Sequence, residues 1–442
     1  MALVDAAAVE PVALLIERAG AAVAHHAIDL MGGTYGRRVV VLAGKGNNGA
    51  DGRAAAARLR RRGARVMVVP ADDAGARLPA ADLVIDAAYG TGFRGEFHVP
   101  DHAGAPVLAV DIPSGVDGLT GEVRGRAFEA VRTVTFVALK PGLVVEPGRG
   151  LAGEVVVVDI GLDAGEPTAA VVEEPDVRGW LPPRPRAAHK WQAAVLVLAG
   201  SPGMTGAAHF AAAAAQRAGS GMVHLGSPGV DDDRGRPTEA VGLPLPAEGW
   251  APAALERARR FHALVIGPGL GTGPATTAGV RAVLEEATLP VVVDGDALTV
   301  LGGDAAAVIT RRSAPTVLTP HDGEHERIAG TPPGPDRLDA ARHLAATTGA
   351  VVLLKGPTTV IADPGGRVLI VCTGDARLAT AGTGDVLSGT IGALLARGVG
   401  APEAAAAGAW LHAAAATRGP AAGLVAGDLL RHLPGALAAV TR

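Results

Sequence analysis

The sequence predicts two α/β domains, each wound around a mostly parallel sheet. Short β-branched runs alternate with Ala-rich helical stretches along the whole chain, as βα units do, and one Pro-rich, charged stretch near residue 180 interrupts the alternation. At 442 residues the chain has room for two or three domains, each with its own core. In order, strands are expected at 38–43 (RVVVLA), 65–69 (RVMVV), 82–87 (DLVIDA), 106–112 (PVLAVDI), 133–139 (TVTFVAL) and 154–160 (EVVVVDI). Between the first two, 50–62 reads as a helix whose Arg residues suit its solvated face. The stretch 173–188, EEPDVRGWLPPRPRAA, predicts a linker, so the domains are expected at 1–172 and 189–442. The second half restarts with a strand at 193–200 and adds strands near 222, 263, 290, 316, 351 and 368. It closes with helices around 386–396, 403–417 and 424–432.

Composition narrows the function. With 48% hydrophobic and 19% charged residues and a formal net charge of −4, neither disorder nor an electrostatic nucleic-acid surface is indicated, and 3% aromatics leave no base-stacking platform. The single cysteine, Cys372, excludes an intrachain disulfide framework and a Cys-based zinc site and fits a reducing compartment. The start MALVDAAAVEPVALL has no basic leader, and Gly-Ser-Pro-Gly interrupts the uncharged window from Trp191 to Gln216. Neither a signal peptide nor a membrane span is expected, and the cytoplasm is the expected address. Lys occurs only at 45, 140, 190 and 355, and Asn only at 47 and 48. In a chain this rich in Ala, Gly and Arg, the surviving Lys and Asn point to places that need an ammonium or a carboxamide.

The loop GKGNNGADG (44–52) follows a strand and opens a helix, so its backbone N–H groups can cradle an anion while its glycines allow close approach. The same residues would also serve as a Gly-rich turn with Asn in left-handed positions. Asp86, the loop from Gly90 to Glu96 and the segment DIPSG from Asp111 to Gly115 close three later strands. Open α/β sheets bind ligands at strand carboxyl ends, so these loops should converge. In the second half, AGTGDVLSG (381–389) sets a glycine-rich turn before a helix. The N–H groups of Gly382, Thr383 and Gly384 can form an anion hole for a transferring phosphoryl group, and Asp385 can take the proton of an attacking hydroxyl. An Asp there also simply favours the helix dipole.

LLIERAG (14–20), GKGNNGADGR, DAAYGTGFRG and AVDIPSGVDG, in this order, resemble the NAD(P)HX epimerase domain, a Rossmann-like doubly wound sheet. The resemblance implies that Asn47, Asn48, Gly49, Ala50 and Asp51, with Gly90, Thr91, Gly92, Phe93, Arg94, Gly95 and Glu96, bind the hydrated dinucleotide. It further implies that Asn48, Asp86 and Ser114 hold K+ and that Asp111 touches the substrate, where it can act as general acid/base at C6. From 189 to about 435, HK, IGPGLG, VVDGDAL, LTPHDGE, LLKG and GTGD together resemble the ADP-dependent NAD(P)HX dehydratase, a ribokinase-like α/β domain. Here the implied roles are Ala207, Gly269, Gly271 and His321 along the substrate, Lys355, Gly356, Pro357, Thr358, Thr359 and Gly384 at the adenine nucleotide, and Asp385 at the substrate hydroxyl. His321 would otherwise be an ordinary loop histidine, and Lys355 a strand-end lysine reaching solvent. The sequence departs from these patterns at Lys45 and Trp191 and at Ala50 and Asp322, where proline or glycine is usual. The expected function is repair of NADHX and NADPHX, epimerising the R and S forms and dehydrating the S form with ADP and Mg2+. The expected form is a homo-oligomer without nucleic-acid or membrane partners. The alternative is a ribokinase-like small-molecule kinase fused to a non-catalytic nucleotide-binding module.

Overall fold

The computed structural model describes residues 10–441, so most of the N-terminal stretch read above for a leader lies outside the described residues. The chain divides into two compact units, the first ending at Pro167 and the second beginning at Thr168. Among the described residues no helix is long and apolar enough to cross a membrane.

The first unit is a six-stranded parallel sheet of β1 (Arg38–Ala43), β2 (Arg65–Pro70), β3 (Leu83–Ala87), β4 (Val107–Val110), β5 (Arg132–Phe136) and β6 (Glu154–Val158), in the order β2-β1-β3-β4-β5-β6. This is the Rossmann-like, doubly wound sheet expected, and β3, β4 and most of β1 are buried, as a central parallel strand requires. The strand order reverses between β1 and β3, so a ligand crevice belongs at their carboxyl ends. The helix Val12–Met31, which strand periodicity did not flag, buries Leu15, Ala19, Val23, Ala27 and Met31 at every fourth position and stops at Gly32 in the left-handed conformation.

The second unit is a ten-stranded sheet in the order β10-β9-β8-β11-β12-β13-β14-β15-β16-β7. Its strands are β7 (Ala169–Val171), β8 (Ala194–Leu198), β9 (Met222–Gly226), β10 (Val241–Leu243), β11 (Ala263–Ile266), β12 (Val291–Val293), β13 (Thr316–Leu318), β14 (Val351–Leu354), β15 (Thr359–Ala362) and β16 (Val368–Val371). The run from β10 to β14 is parallel, and β15 lies antiparallel to both its neighbours. The Ala-rich helices Thr205–Arg217, Thr383–Ala396 and Ala401–Thr417 cover it through small residues. A Cβ at Gly389 would lie 2.0 Å from the carbonyl oxygen of Ala211, so the first two helices touch backbone to backbone, and one at Gly408 would lie 2.6 Å from the Ile391 side chain.

The expected linker 173–188 is corrected. β7 pairs in parallel with β16 as the sheet's edge strand, the helix Glu174–Trp180 buries Val177, and Leu181 lies in the same core. Prolines and charges read as a linker, yet Pro175 occupies the first helical turn, where no N–H is needed, and the Asp176 carboxylate accepts the N–H of Glu173 at 2.9 Å. The two fragments ending at Pro167 and beginning at Thr168 are therefore each expected to fold. A fragment beginning at Pro183 lacks an edge strand and three buried side chains, Val172, Val177 and Leu181, worth about 1.5–3 kcal/mol each, so its melting temperature should fall well below that of the 168–442 fragment. Equal melting of the two second-unit fragments in calorimetry would refute this boundary.

Candidate active sites

In the first unit a cavity of about 570 Å³ opens at the carboxyl ends of the strands. Its walls come from 45–48 after β1, 88–94 after β3, Asp111 after β4, Phe136 at the end of β5, Val137 and Lys140 beyond it, and the start of the helix Val12–Met31. The loop after β1 can press against the end of β3 because a Cβ at Gly44 would sit 1.9 Å from the Ala88 carbonyl oxygen. A Cβ at Gly49 would strike the Gly44 oxygen at the same distance. Of the expected residues, Asn47, Asn48, Asp51, Gly90, Thr91, Gly92, Phe93, Arg94 and Asp111 line the cavity. Gly49 and Ala50, within the helix Asn47–Arg61, lie off the lining, and so do Gly95 and Glu96 in the loop after β3. The alanine at 50 thus places no Cβ in the cavity, and Lys45 stands exposed at its wall, 2.7 Å from Asp72.

The polar groups fall into three sets. Asn48 is buried at both side-chain atoms, Oδ1 and Nδ2, with no protein partner for either, a costly state unless a ligand takes them. Asp86 is fully buried and accepts Ser114 Oγ at 2.6 Å and Ser114 N–H at 2.7 Å. Burial pushes its carboxyl up to about 6 despite those hydrogen bonds. The third set is Asp111 with Lys140: Nζ lies 2.6 Å from Asp111 Oδ1, and the lysine is only 4% exposed. Asp111 has φ of 68° and Val137 φ of 69°, left-handed conformations that cost side-chain-bearing residues about 1–3 kcal/mol each and gather at functional sites. Burial, followed by the charge of Asp111, pushes Asp51 up to about 8, so the cavity holds a protonated carboxyl at neutral pH. Lys140 is the residue missed by sequence reasoning, although the scarcity of lysine had marked it.

The second unit gathers its groups at the carboxyl ends of β12, β13 and β14 and the start of the helix Thr383–Ala396. Asp294, 2% exposed, accepts Thr319 Oγ1 at 2.7 Å, Ser388 Oγ at 2.5 Å and Lys355 Nζ at 3.0 Å. Lys355 also reaches Glu324 Oε2 at 3.4 Å, and a Cβ at Gly384 would lie 3.7 Å from the ammonium. Burial alone would lower Lys355, but Asp294 and Glu324 together hold it above its ordinary value. Burial, then the negative charge of Asp294, pushes Asp385 up to about 7, with Lys355 working the other way. Gly382, at φ of 87°, caps the helix, and the Thr383 N–H turns back to Thr380 at 3.3 Å. Of the three N–H groups expected to receive an anion, that of Thr383 is thus engaged, which leaves those of Gly382 and Gly384. His412, neutral because burial pushes it down to about 4, donates Nε2–H to the Thr383 carbonyl at 2.9 Å and so fixes this turn.

His321 caps the helix Asp322–Ala329: Nδ1 accepts the N–H groups of Gly323 and Glu324 at 3.1 and 3.2 Å, so in the neutral ring Nε2 carries the proton. Asp322 forms a two-bond pair with Arg337, at 2.8 and 3.1 Å, and Arg337 also donates to the Lys355 carbonyl. Gly269 and Ala207 adjoin, since a Cβ at Gly269 would lie 3.1 Å from that of Ala207. Gly271 N–H donates to Asp296 at 2.8 Å, and Asp296 acts electrostatically on Asp385. Gly356 abuts Arg337, and Pro357 and buried Thr358 follow in the turn to Thr359 at the start of β15. Trp191 precedes β8, at the opposite end of the parallel strands, where it packs on Phe261 and under the Arg260 guanidinium. That departure does not touch the site. Among the described residues no three His, Cys, Asp or Glu are grouped to hold a metal ion.

Sequence comparison matches 195–436 to the family described as NAD(P)H-hydrate dehydratase and 12–142, in two overlapping pieces, to the YjeF-related protein N-terminus. The bifunctional NAD(P)H-hydrate repair enzyme Nnr of Mycobacterium tuberculosis is 44% identical over 402 residues, covering 85% of this chain and 82% of that one. Among solved structures, the ADP/ATP-dependent NAD(P)H-hydrate dehydratase of Bacillus subtilis, co-crystallised with ATP/Mg2+, is 30% identical with a TM-score of 0.52, over 61% of this chain and 97% of that one. A ribokinase-like superfamily protein from Enterococcus faecalis, at 20% identity and TM-score 0.53 over 63% and 98% of the two chains, shares the fold.

Proposed function

Because this chain belongs to the family of bifunctional NAD(P)H-hydrate repair enzymes, we propose that the Asp111 cavity is its epimerase site and the Asp385 turn its dehydratase site. The enzyme epimerises R- and S-NAD(P)HX and dehydrates the S form to NAD(P)H with ADP; this reading displaces that of a fused small-molecule kinase. The observation that most supports the site assignment is the pairing of Asp111, at a strand end, with the buried Lys140; in the second unit the charge of Lys355, itself paired with Asp294, acts on Asp385 at a helix start. Under this reading it acts on soluble dinucleotides in the cytoplasm, as a homo-oligomer.

In the first site the C6 carbon carries both a hydroxyl and the ring nitrogen. Asp111 takes the hydroxyl proton, the C6–N1 bond breaks with its electron pair on the conjugated nitrogen, and the resulting aldehyde recloses from its other face. Protonated Asp51 can lend the nitrogen a proton meanwhile. Asn48, with its unpartnered buried amide, together with Asp86 and Ser114, fits a potassium ion, a weakly charged cation that takes several oxygen ligands and would neutralise Asp86 beside the pyrophosphate. In the second site Asp385 takes the C6 hydroxyl proton while the oxygen attacks the terminal phosphorus of ADP, releasing AMP. The ring nitrogen then expels phosphate, and loss of a C5 proton restores the double bond. Lys355 and the Gly384 N–H face the transferring group. Mg2+ supplies charge neutralisation on the nucleotide phosphates. With no protein cage among the described residues, Glu324 and Asp385 would meet it through water.

Mixed epimers should yield NADH absorbance only with ADP present, and should be consumed completely; a plateau at the S fraction would refute the epimerase assignment. For the ion, Asp86→Ala is expected to raise the epimerase KM at least about tenfold, roughly 1.4 kcal/mol, with dehydration unchanged. R-epimer consumption by wild type and variant, in potassium and in a bulky organic cation, checks this, with Asp86→Asn as the variant that keeps the site's shape. Identical kinetics in both buffers would remove the ion from the mechanism.

A further inference from the structure

The epimerase reading uses Asp111 but not the lysine behind it. The Lys140 ammonium has three protons and three acceptors: Asp111 Oδ1 at 2.6 Å, Thr135 Oγ1 at 2.7 Å and the Phe136 carbonyl at 2.8 Å. Thr135, fully buried, passes its own hydroxyl proton toward the same Asp111 oxygen at 3.1 Å. One carboxylate oxygen thus receives two donors. The other, Oδ2, faces Gly90 on the cavity wall, where a Cβ would lie 3.4 Å away. Both backbones that carry this arrangement, at Asp111 and at Val137, are held in the left-handed conformation. That geometry is held in place by its surroundings, and the buried ammonium ties the ends of β4 and β5 together beside the Asp111 N–H bond to the Val134 carbonyl.

We infer that Lys140 is a positioning residue for epimerisation: by occupying Oδ1 it leaves Oδ2 of Asp111 as the proton acceptor, aimed into the cavity. The inference rests on Asp111 being the acid/base group. Because all of its protons are engaged within the wall, Lys140 does not serve as a phosphate anchor, and its loss should fall on turnover and not on binding. A carboxylate free to turn presents its lone pairs in many directions, and misplacement of a reacting group by about 1 Å costs about a hundredfold in rate.

The test is steady-state epimerisation by the full-length enzyme. Lys140→Met is expected to lower kcat about a hundredfold with KM within about threefold of wild type. Lys140→Ala, which leaves room for the missing stem and ammonium, should recover turnover in propylammonium but not in equal concentrations of tetramethylammonium. Thr135→Val removes the second Oδ1 donor and should lower kcat about tenfold, again without raising KM; it decides the matter if the lysine variants do not fold. Wild-type kcat in Lys140→Met or Thr135→Val, or a loss confined to KM, would overturn the inference. Asp111→Asn, run alongside, separates the two claims: if it stays active, the acid/base reading itself has failed.

Discussion

Asp385→Asn is expected to slow ADP-dependent dehydration by about 10²–10⁴, the usual loss on removing a general base, with epimerisation unchanged. The amide keeps the size of the carboxyl and the helix start that forms the anion hole, but cannot accept the hydroxyl proton. The pH dependence gives an independent signature. Burial, then repulsion from Asp294, raises Asp385 to about 7, so below that pH the base is mostly protonated and idle. Dehydration of the S epimer should climb nearly tenfold per pH unit up to about 7 and level off above it, whereas Asp385→Asn should lack this limb. NADH absorbance followed between about pH 5 and about pH 9 reads both effects. An Asn variant with wild-type rate, or with the same acidic limb, would show that another group takes the proton.

The second large effect is on stability. Asp294→Ala is expected to destabilise the second unit by about 3–5 kcal/mol, because it strands the Lys355 ammonium against Glu324 alone and leaves the hydroxyls of Thr319 and Ser388 only their backbone acceptors, the Val293 and Gly384 carbonyls. For a unit of this size that is a fall in melting temperature on the order of 10 °C. Burial by itself would raise the Asp294 carboxyl, but the charge of Lys355 and the hydrogen bonds from Ser388 and Thr319 win and hold it below its ordinary value. A depressed carboxylate contributes stability that is complete at neutral pH and lost as the pH falls through its folded value, below the ordinary carboxylate range. Wild type should therefore lose second-unit stability in acid more steeply than the variant. Calorimetry resolves this, since the transition of the first unit should stay in place, and a variant melting within about 2 °C of wild type would count against the network.

The strands of the first unit and seven of the second were legible because β-branched runs between Ala-rich segments mark a parallel sheet, whereas β7, β10 and β15, of three or four residues each, were not. Where the reading overshot, at 106–112 and 133–139, the strands end at Val110 and Phe136 instead. The apolar pattern continues past both ends, but the backbone turns left-handed at Asp111 and Val137, which composition does not register. The segment 173–188 failed the other way: a short capped helix carries the same prolines and acids as a linker. The loops around Asn48, Gly90, Asp111 and Asp385 were visible because glycine, asparagine and aspartate are rarely placed together at strand ends without a reason. The groups behind them were not. Lys140 meets an aspartate 29 positions earlier in the chain, and Lys355 meets one 61 positions away; such pairings exist only once the strands lie side by side.

The contact at Gly389 bears on how Asp385 is kept in place. The helix that carries this carboxylate rests on its neighbour through a glycine and the Ala211 carbonyl, with no side chain between them. Most helix interfaces are interlocked by long side chains whose rotamers exchange as temperature rises. A contact between main chains has no such rotamers to populate, so warming has little to loosen at this joint. Any residue larger than glycine at 389 would displace this helix, and Asp385 with it.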